Sequence, residues 1–236
     1  MDNKPIIALD FSTKAEVEHF LTHFPKQSLN VKVGMELFYQ EGIEILKQLK
    51  ESGHDVFLDI KLHDIPTTVY KAMRGLAGYG VDMVNVHAAG GVEMMAAAKK
   101  GLKDGKKAGS KKPLLIAVTQ LTSTTEENMQ REQKVSGTLE ESVLNYARLS
   151  YFAGVDGVVC SVHEAKEVEQ VTAPKFLRVT PGIRLPGDLT NDQKRIATPL
   201  EAKREKATHI VVGRTITKSK DPATAYQEVL KYWNGE

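Results

Sequence analysis

Cysteine is almost missing: Cys160 is the only one in 236 residues. One thiol excludes an intramolecular disulfide framework and any metal centre built from several cysteines, and it fits a chain working in reducing cytosol. Within the apolar run Val158-Val159-Cys160 it reads as buried and inert rather than as a nucleophile. Long hydrophobic runs are missing too. No segment approaches the length needed to span a bilayer, and Met1-Asp2-Asn3-Lys4-Pro5 carries no apolar signal region, so a cytoplasmic protein without membrane contact is expected. Nor is there an excess of either charge: 32 Lys and Arg stand against 30 Asp and Glu, interspersed, for a net charge of +2. No nucleic-acid-binding face is advertised. The densest basic run holds Lys99, Lys100, Lys103, Lys106, Lys107, Lys111 and Lys112 with no aromatic residue among them. It reads as the solvated end of a helix and loop, with a weak anion-binding patch as the alternative.

What is present is an alternation of short apolar strands and longer amphipathic segments. A composition of 41% hydrophobic and 26% charged residues permits a substantial buried core. Strands are expected at Pro5 to Asp10, Leu29 to Val33, Asp55 to Lys61, Met83 to His87, Leu114 to Thr119, Gly157 to Cys160, Phe176 to Val179 and His209 to Val212. Helices follow each, among them Glu41 to Ser52, with Ile43, Leu46 and Leu49 at helical spacing, and Pro222 to Trp233 at the end. Ser12 is a plausible N-cap for the first, and a long polar loop spans Leu121 to Gly137. Eight strand-helix units without a break in composition argue for an α/β protein, a (β/α)8 TIM barrel forming a single domain over residues 1–236. A doubly wound open sheet is the alternative.

In such a barrel the chemistry collects where strands end and loops begin. Side chains alternate across a strand, so Val56, Leu58, Ile60 and Leu62 form an aliphatic face while Asp59 and Lys61 share the other, with Asp64 just beyond. The same alternation puts Asp10 opposite Leu9, Lys32 opposite Val31 and Val33, and Asn85 and His87 opposite Val84 and Val86. Any one of these alone reads first as a satisfied core polar group, Asn85 and His87 equally as either. Four strands doing this together point to a barrel mouth built as an active site, because unpaired buried charge is costly. A second cluster, Thr180-Pro181-Gly182-Ile183-Arg184 with Gln193 later in the loop, and a third, Val212-Gly213-Arg214, lie after strands seven and eight. Barrels often bind phosphate there; a glycine admits close approach of a backbone N–H, and an arginine pairs with phosphate through two hydrogen bonds.

With these residues in place the chain resembles the orotidine 5′-phosphate decarboxylase family from end to end. The resemblance rests on Asp59-x-Lys61-x-x-Asp64 followed by Ile65-Pro66-Thr67-Thr68, joined by Ala8-Leu9-Asp10, Lys32-Val33-Gly34, Thr180-Pro181-Gly182-Ile183-Arg184 and Val212-Gly213-Arg214. The Asp-x-Lys-x-x-Asp pattern alone is shared by a wider superfamily of decarboxylases; the full set is far more specific. The resemblance implies a lyase that removes CO2 from orotidine 5′-phosphate to give UMP in pyrimidine synthesis, with no cofactor and no metal. It implies a homodimer with active sites at the interface. Lys61 would be the catalytic acid, with Asp59, Asp64 and Lys32 completing an alternating charge network. Asp64 and Thr68 would reach into the partner's site. Asp10 and Lys32 would hold ribose hydroxyls, Thr122 and Pro181 would lie against the pyrimidine, and Gln193, Gly213, Arg214 and Arg184 would hold the phosphate.

The chemistry fits that assignment. Decarboxylation at C6 leaves an in-plane anion with no conjugated sink, so an ammonium fixed beside that carbon can stabilise the charge and then donate a proton. Flanking carboxylates favour the ammonium form. Two rivals remain. A metal-dependent sugar-phosphate decarboxylase or aldolase of the same superfamily resembles this chain at Asp59 and Lys61, but needs an acidic metal ligand near the end of strand two, where Lys32 stands. A non-catalytic nucleotide-binding barrel is the other, and the intact Lys61, Asp59 and Asp64 argue against it.

Overall fold

A computed structural model describes residues 1–188 and 195–236. Eight parallel strands, β1 (Ile6–Ala8), β2 (Asn30–Gly34), β3 (Asp55–Leu62), β4 (Met83–His87), β5 (Leu114–Val118), β6 (Gly157–Val159), β7 (Leu177–Thr180) and β8 (His209–Val212), pair in sequence order. β8 then returns to β1, through Ile6 opposite Val211 and Ile7 opposite Val212, and the sheet closes as a barrel. The open-sheet alternative is thereby excluded.

Helices α1 (Lys14–Leu21), α2 (Met35–Glu41), α3 (Ile43–Glu51), α4 (Pro66–Ala77), α5 (Gly91–Gly105), α6 (Glu126–Arg131), α7 (Leu139–Phe152), α8 (Ala165–Val171), α9 (Pro199–Arg204), α10 (Arg214–Thr217) and α11 (Pro222–Asn234) surround it. Among the described residues, none of these is long and apolar enough to cross a membrane.

The two faces of each strand feed two cores. Ile6, Ala8, Phe57, Met83, Ile116, Val179 and Val211 fill the barrel interior. Their strand neighbours Ile7, Val56, Leu58, Val84, Ala117 and Val212 pack outward against the helices. That period of two is the one read from the sequence.

Local departures have local causes. The first helix is capped by Thr13, not Ser12: Thr13 Oγ1 accepts from the Glu16 N–H while Glu16 accepts from the Thr13 N–H, a capping box. Ser12 instead donates its hydroxyl to Glu36. The helix expected at Glu41 to Ser52 is α3; a further helix, α2, precedes it, and Gly42 at φ +66° separates the two. The expected polar loop 121–137 contains α6, capped by the Thr125 hydroxyl; Met129 is its one buried residue, so it carries no periodic signal.

At the end away from the site, Asp82 accepts from the Val56 N–H of β3 and from Lys50, and Asp156 accepts from the Leu115 N–H of β5 and from Lys99. Each aspartate precedes a strand and fastens the strand before it. Lys99 and Lys100, the first members of the basic run, are engaged in this way: Lys99 with Asp156, and Lys100 with Asp104.

Candidate active site

The strands' C-terminal ends enclose a cavity of about 510 Å3 lined from β1 to β8. Its electrostatic centre is Asp59, held on β3 with its side chain 14% exposed. Asp59 Oδ1 lies 2.6 Å from Lys61 Nζ, and Oδ2 lies 3.2 Å from Lys32 Nζ. Lys32 also reaches Asp10 Oδ1 at 3.1 Å. Acid and base therefore alternate as Asp10, Lys32, Asp59 and Lys61, from just beyond β1 through β2 to β3. Burial alone would drive Lys32 toward its neutral form, but the carboxylates of Asp59 and Asp10 reverse this and hold its pKa above the ordinary lysine value. Burial likewise opposes ionisation of Asp59; Lys32 and Lys61, with hydrogen bonds from Lys61 and Asn85, bring its pKa below the usual carboxylate range.

The backbone at Lys61 is not ordinary strand. Lys61 takes φ +50°, a region that costs a non-glycine residue roughly 1–2 kcal/mol. The ladder explains how it is held. Leu58 pairs with Val84 and Leu62 with Val86, so β3 advances four residues while β4 advances two. In the resulting bulge the Lys61 N–H donates 2.7 Å to Asn85 Oδ1, and Asn85 Nδ2 donates 2.7 Å to Asp59 Oδ1. Asn85, fully buried, thus fixes both members of the Asp59–Lys61 pair. Its orientation was expected from the alternation of β4; its role as the strut of a bulge was not.

Of the other sequence-derived positions, Thr122, Pro181, Arg184, Gly213 and Arg214 line the same cavity. Arg184 is buried and donates Nη1 to the Ile183 carbonyl at 2.8 Å. The segment after β7 is tied back on itself, Arg184 N–H to the Ala197 carbonyl at 3.0 Å and Ala197 N–H to the Gly182 carbonyl at 3.2 Å. Gln193 lies outside the described residues. Asp64 and Thr68 are exposed and stand apart from this cavity. Asp64 accepts from the Ile65 N–H at 2.6 Å.

His87, expected at the barrel mouth, is not among the residues that line the cavity. Its ring stacks on His63, with centroids 5.7 Å apart, and its Nδ1 accepts from the Ala89 N–H. It is the last residue of β4, paired with Val118, and caps the 3-10 turn that follows. Four polar residues outside those motifs also line the cavity: Gln120, Ser123, Thr217 and Lys218. Cys160 lines its floor, yet burial pushes its thiol far above the ordinary value, consistent with an inert group. Among the described residues, no three His, Cys, Asp or Glu side chains converge so as to hold a metal ion.

This geometry has close relatives. Residues 3–229 match the family described as orotidine 5′-phosphate decarboxylase / HUMPS. The chain is 60% identical to the orotidine 5′-phosphate decarboxylase of Lysinibacillus sphaericus (strain C3-41), over 99% of both chains. It is 58% identical to that of Listeria monocytogenes serovar 1/2a, over 98% of this chain and 99% of the relative. The crystal structure of orotidine 5′-phosphate decarboxylase from Lactobacillus acidophilus superposes with a TM-score of 0.89 at 41% identity, covering 99% of this chain and 100% of that one. An uncharacterized conserved protein from Geobacillus kaustophilus superposes with a TM-score of 0.88 at 48% identity, covering 97% and 99%. On the matched family and the near-complete alignment with these relatives, the chain belongs to the orotidine 5′-phosphate decarboxylase / HUMPS family.

Proposed function

We propose that this chain converts orotidine 5′-phosphate to UMP and CO2, a step of pyrimidine nucleotide synthesis, as one catalytic domain in the cytoplasm. The observation that carries the reading is the Asp10–Lys32–Asp59–Lys61 chain of ion pairs at the wall of a cavity that Arg184 and Arg214 also line. In the reaction the bond from C6 to the carboxylate breaks, CO2 leaves, and the electron pair stays on C6 in the ring plane. The Lys61 ammonium stabilises that pair and then donates its proton to C6. Asp59 and the Asn85 strut hold Lys61 before the reaction starts, so little reorganisation is needed as charge develops. Lys32 and Asp10 are suited to hydroxyl groups of the ribose, Thr122 and Pro181 to the pyrimidine end, and Arg184, Arg214 and Gly213, with Gln193, to the phosphate. Phosphate binding is remote from the bond that breaks and can still lower the barrier by holding the base against Lys61. The metal-dependent rival is disfavoured by the donor set, since both oxygens of Asp59 are occupied by ammonium groups.

The working unit in this proposal is a homodimer. Support comes from the placement of Asp64 and Thr68, exposed and outside their own cavity beside an Ile65 that is 66% exposed. Side chains so placed are suited to completing a partner's site.

The test is the loss of orotidine 5′-phosphate absorbance by purified protein in excess EDTA, beside Lys61→Ala. Rapid turnover lost by at least about a thousandfold in Lys61→Ala is expected. Turnover that survives the substitution, or that appears only on adding magnesium, would overturn the proposal.

A further inference from the structure

The loop after β5 enters the cavity through a tight turn, and the turn is held from outside by a residue that no motif singled out. The Thr124 N–H donates to the Leu121 carbonyl at 2.9 Å, closing a four-residue turn whose central residues, Thr122 and Ser123, both line the cavity. The same Leu121 carbonyl accepts a second hydrogen bond, 3.0 Å from Arg195 Nη2. The other arm of that guanidinium, Nη1, pairs with Glu164 and lies 3.5 Å from Ser161 Oγ. Glu164 is itself fixed: it is buried, and its second oxygen accepts from the Ser161 N–H at 2.8 Å just beyond β6. Arg195 is mostly buried, with its side chain 16% exposed.

We infer that Arg195 is a positioning residue, which braces the Leu121–Thr124 turn against the Glu164 carboxylate and so fixes Thr122 at the pyrimidine end of the site. The inference rests on the decarboxylase reading for its substrate, but its geometry does not. Gln120, just before this turn, is anchored to Ser142 and Gln133 at 3.1 and 3.0 Å. Among the described residues, it is the Arg195 contact that ties the Leu121 carbonyl to the loop after β6. A planar fork can bridge a carboxylate and a carbonyl at once; a single ammonium on a flexible stem cannot do both with the same geometry. Arg195 does not itself line the cavity and meets its lining at the Leu121 carbonyl, so its effect must travel through the turn.

Steady-state kinetics on orotidine 5′-phosphate and on the phosphate-free nucleoside orotidine, with thermal unfolding, test this for wild type, Arg195→Met and Arg195→Lys. Arg195→Met is expected to lose about tenfold or more in kcat/KM, by the same factor on both substrates, because the braced turn serves the base. Arg195→Lys should recover only part of that loss. Unchanged kcat/KM, or a loss confined to the phosphorylated substrate, overturns the assignment. Should Arg195→Met fold poorly, Glu164→Gln, which keeps a neutral acceptor for Arg195, is expected to give a smaller loss of the same pattern; no loss there counts against the brace. Hydrogen exchange at the Thr124 amide gives a readout independent of activity, expected to quicken in Arg195→Met. An inactive wild type would refute the decarboxylase reading alone, and an unchanged Thr124 exchange rate would refute the brace alone.

Discussion

Asp59 is the residue on which the charge arrangement turns. Its two oxygens separate two ammonium groups, Oδ1 facing Lys61 and Oδ2 facing Lys32. Asp59→Asn keeps the shape and the Asn85 contact but leaves two like charges facing each other in a half-buried site. We expect roughly 3 kcal/mol of lost stability in urea unfolding and at least about a hundredfold loss of turnover. A second residue, His209, controls stability rather than chemistry. Burial at the start of β8, aided by the nearby N-terminal ammonium, lowers its pKa to about 4 in the folded chain. Above about pH 6.5 the ring is neutral whether folded or unfolded and has no effect on stability. Between about pH 6.5 and 4 the unfolded chain takes up a proton that the native chain refuses, so stability falls as the solution is acidified, by on the order of 3 kcal/mol in full. His209→Gln should therefore lose less stability than wild type between pH 7 and 5, measured by denaturant titration at each pH. An equal loss in both proteins would show that other groups set the acid sensitivity.

At the scale of elements, the contact between α4 and α5 depends on what α5 omits. A Cβ at Gly101 would collide with the Tyr70 carbonyl oxygen, and one at Gly105 with the Arg74 carbonyl oxygen. Both obstacles are backbone of α4, which cannot move aside as a flexible side chain can. The gain of about 1 kcal/mol in helix propensity for Gly101→Ala is therefore outweighed by overpacking. We expect a net loss of about 1–2 kcal/mol, seen as a melting temperature lowered by about 2–8 °C in a chain of this size. A rise in melting temperature would mean that the two helices can separate without penalty. The bulge of β3 works differently: strain at Lys61 is tolerated because Asn85 satisfies the N–H that the ladder abandons. The amphipathic period located β3 and β4 correctly but could not reveal the bulge, which arises from how the two strands meet.

For the whole molecule, the proposed dimer predicts complementation. Lys61→Ala and Asp64→Ala are each expected to be nearly inactive alone. Mixed in equal amounts under exchange, hybrids should carry one site with both residues intact, restoring about a quarter of wild-type activity if subunits pair at random. No recovery in a mixture shown by mass to contain hybrids would mean that Asp64 serves its own chain's site.

Much of this protein is legible in its amino-acid sequence. Alternation of apolar and polar residues along eight short segments determines which side chains enter the barrel and which meet the helices, because that choice is local geometry with period two. The spacing of Asp59 and Lys61 and the glycine-arginine pairs after strands seven and eight mark the lining of the cavity, since the strand ends of a barrel converge. Only the tertiary structure decided closure of β8 on β1, the bulge at Lys61, the stacking of His87 on His63, and the Arg195–Leu121 contact. Each of these joins residues distant in sequence or depends on how one strand slips against another. Periodicity within a segment records which face is buried; it holds no record of the partner that face or carbonyl will meet.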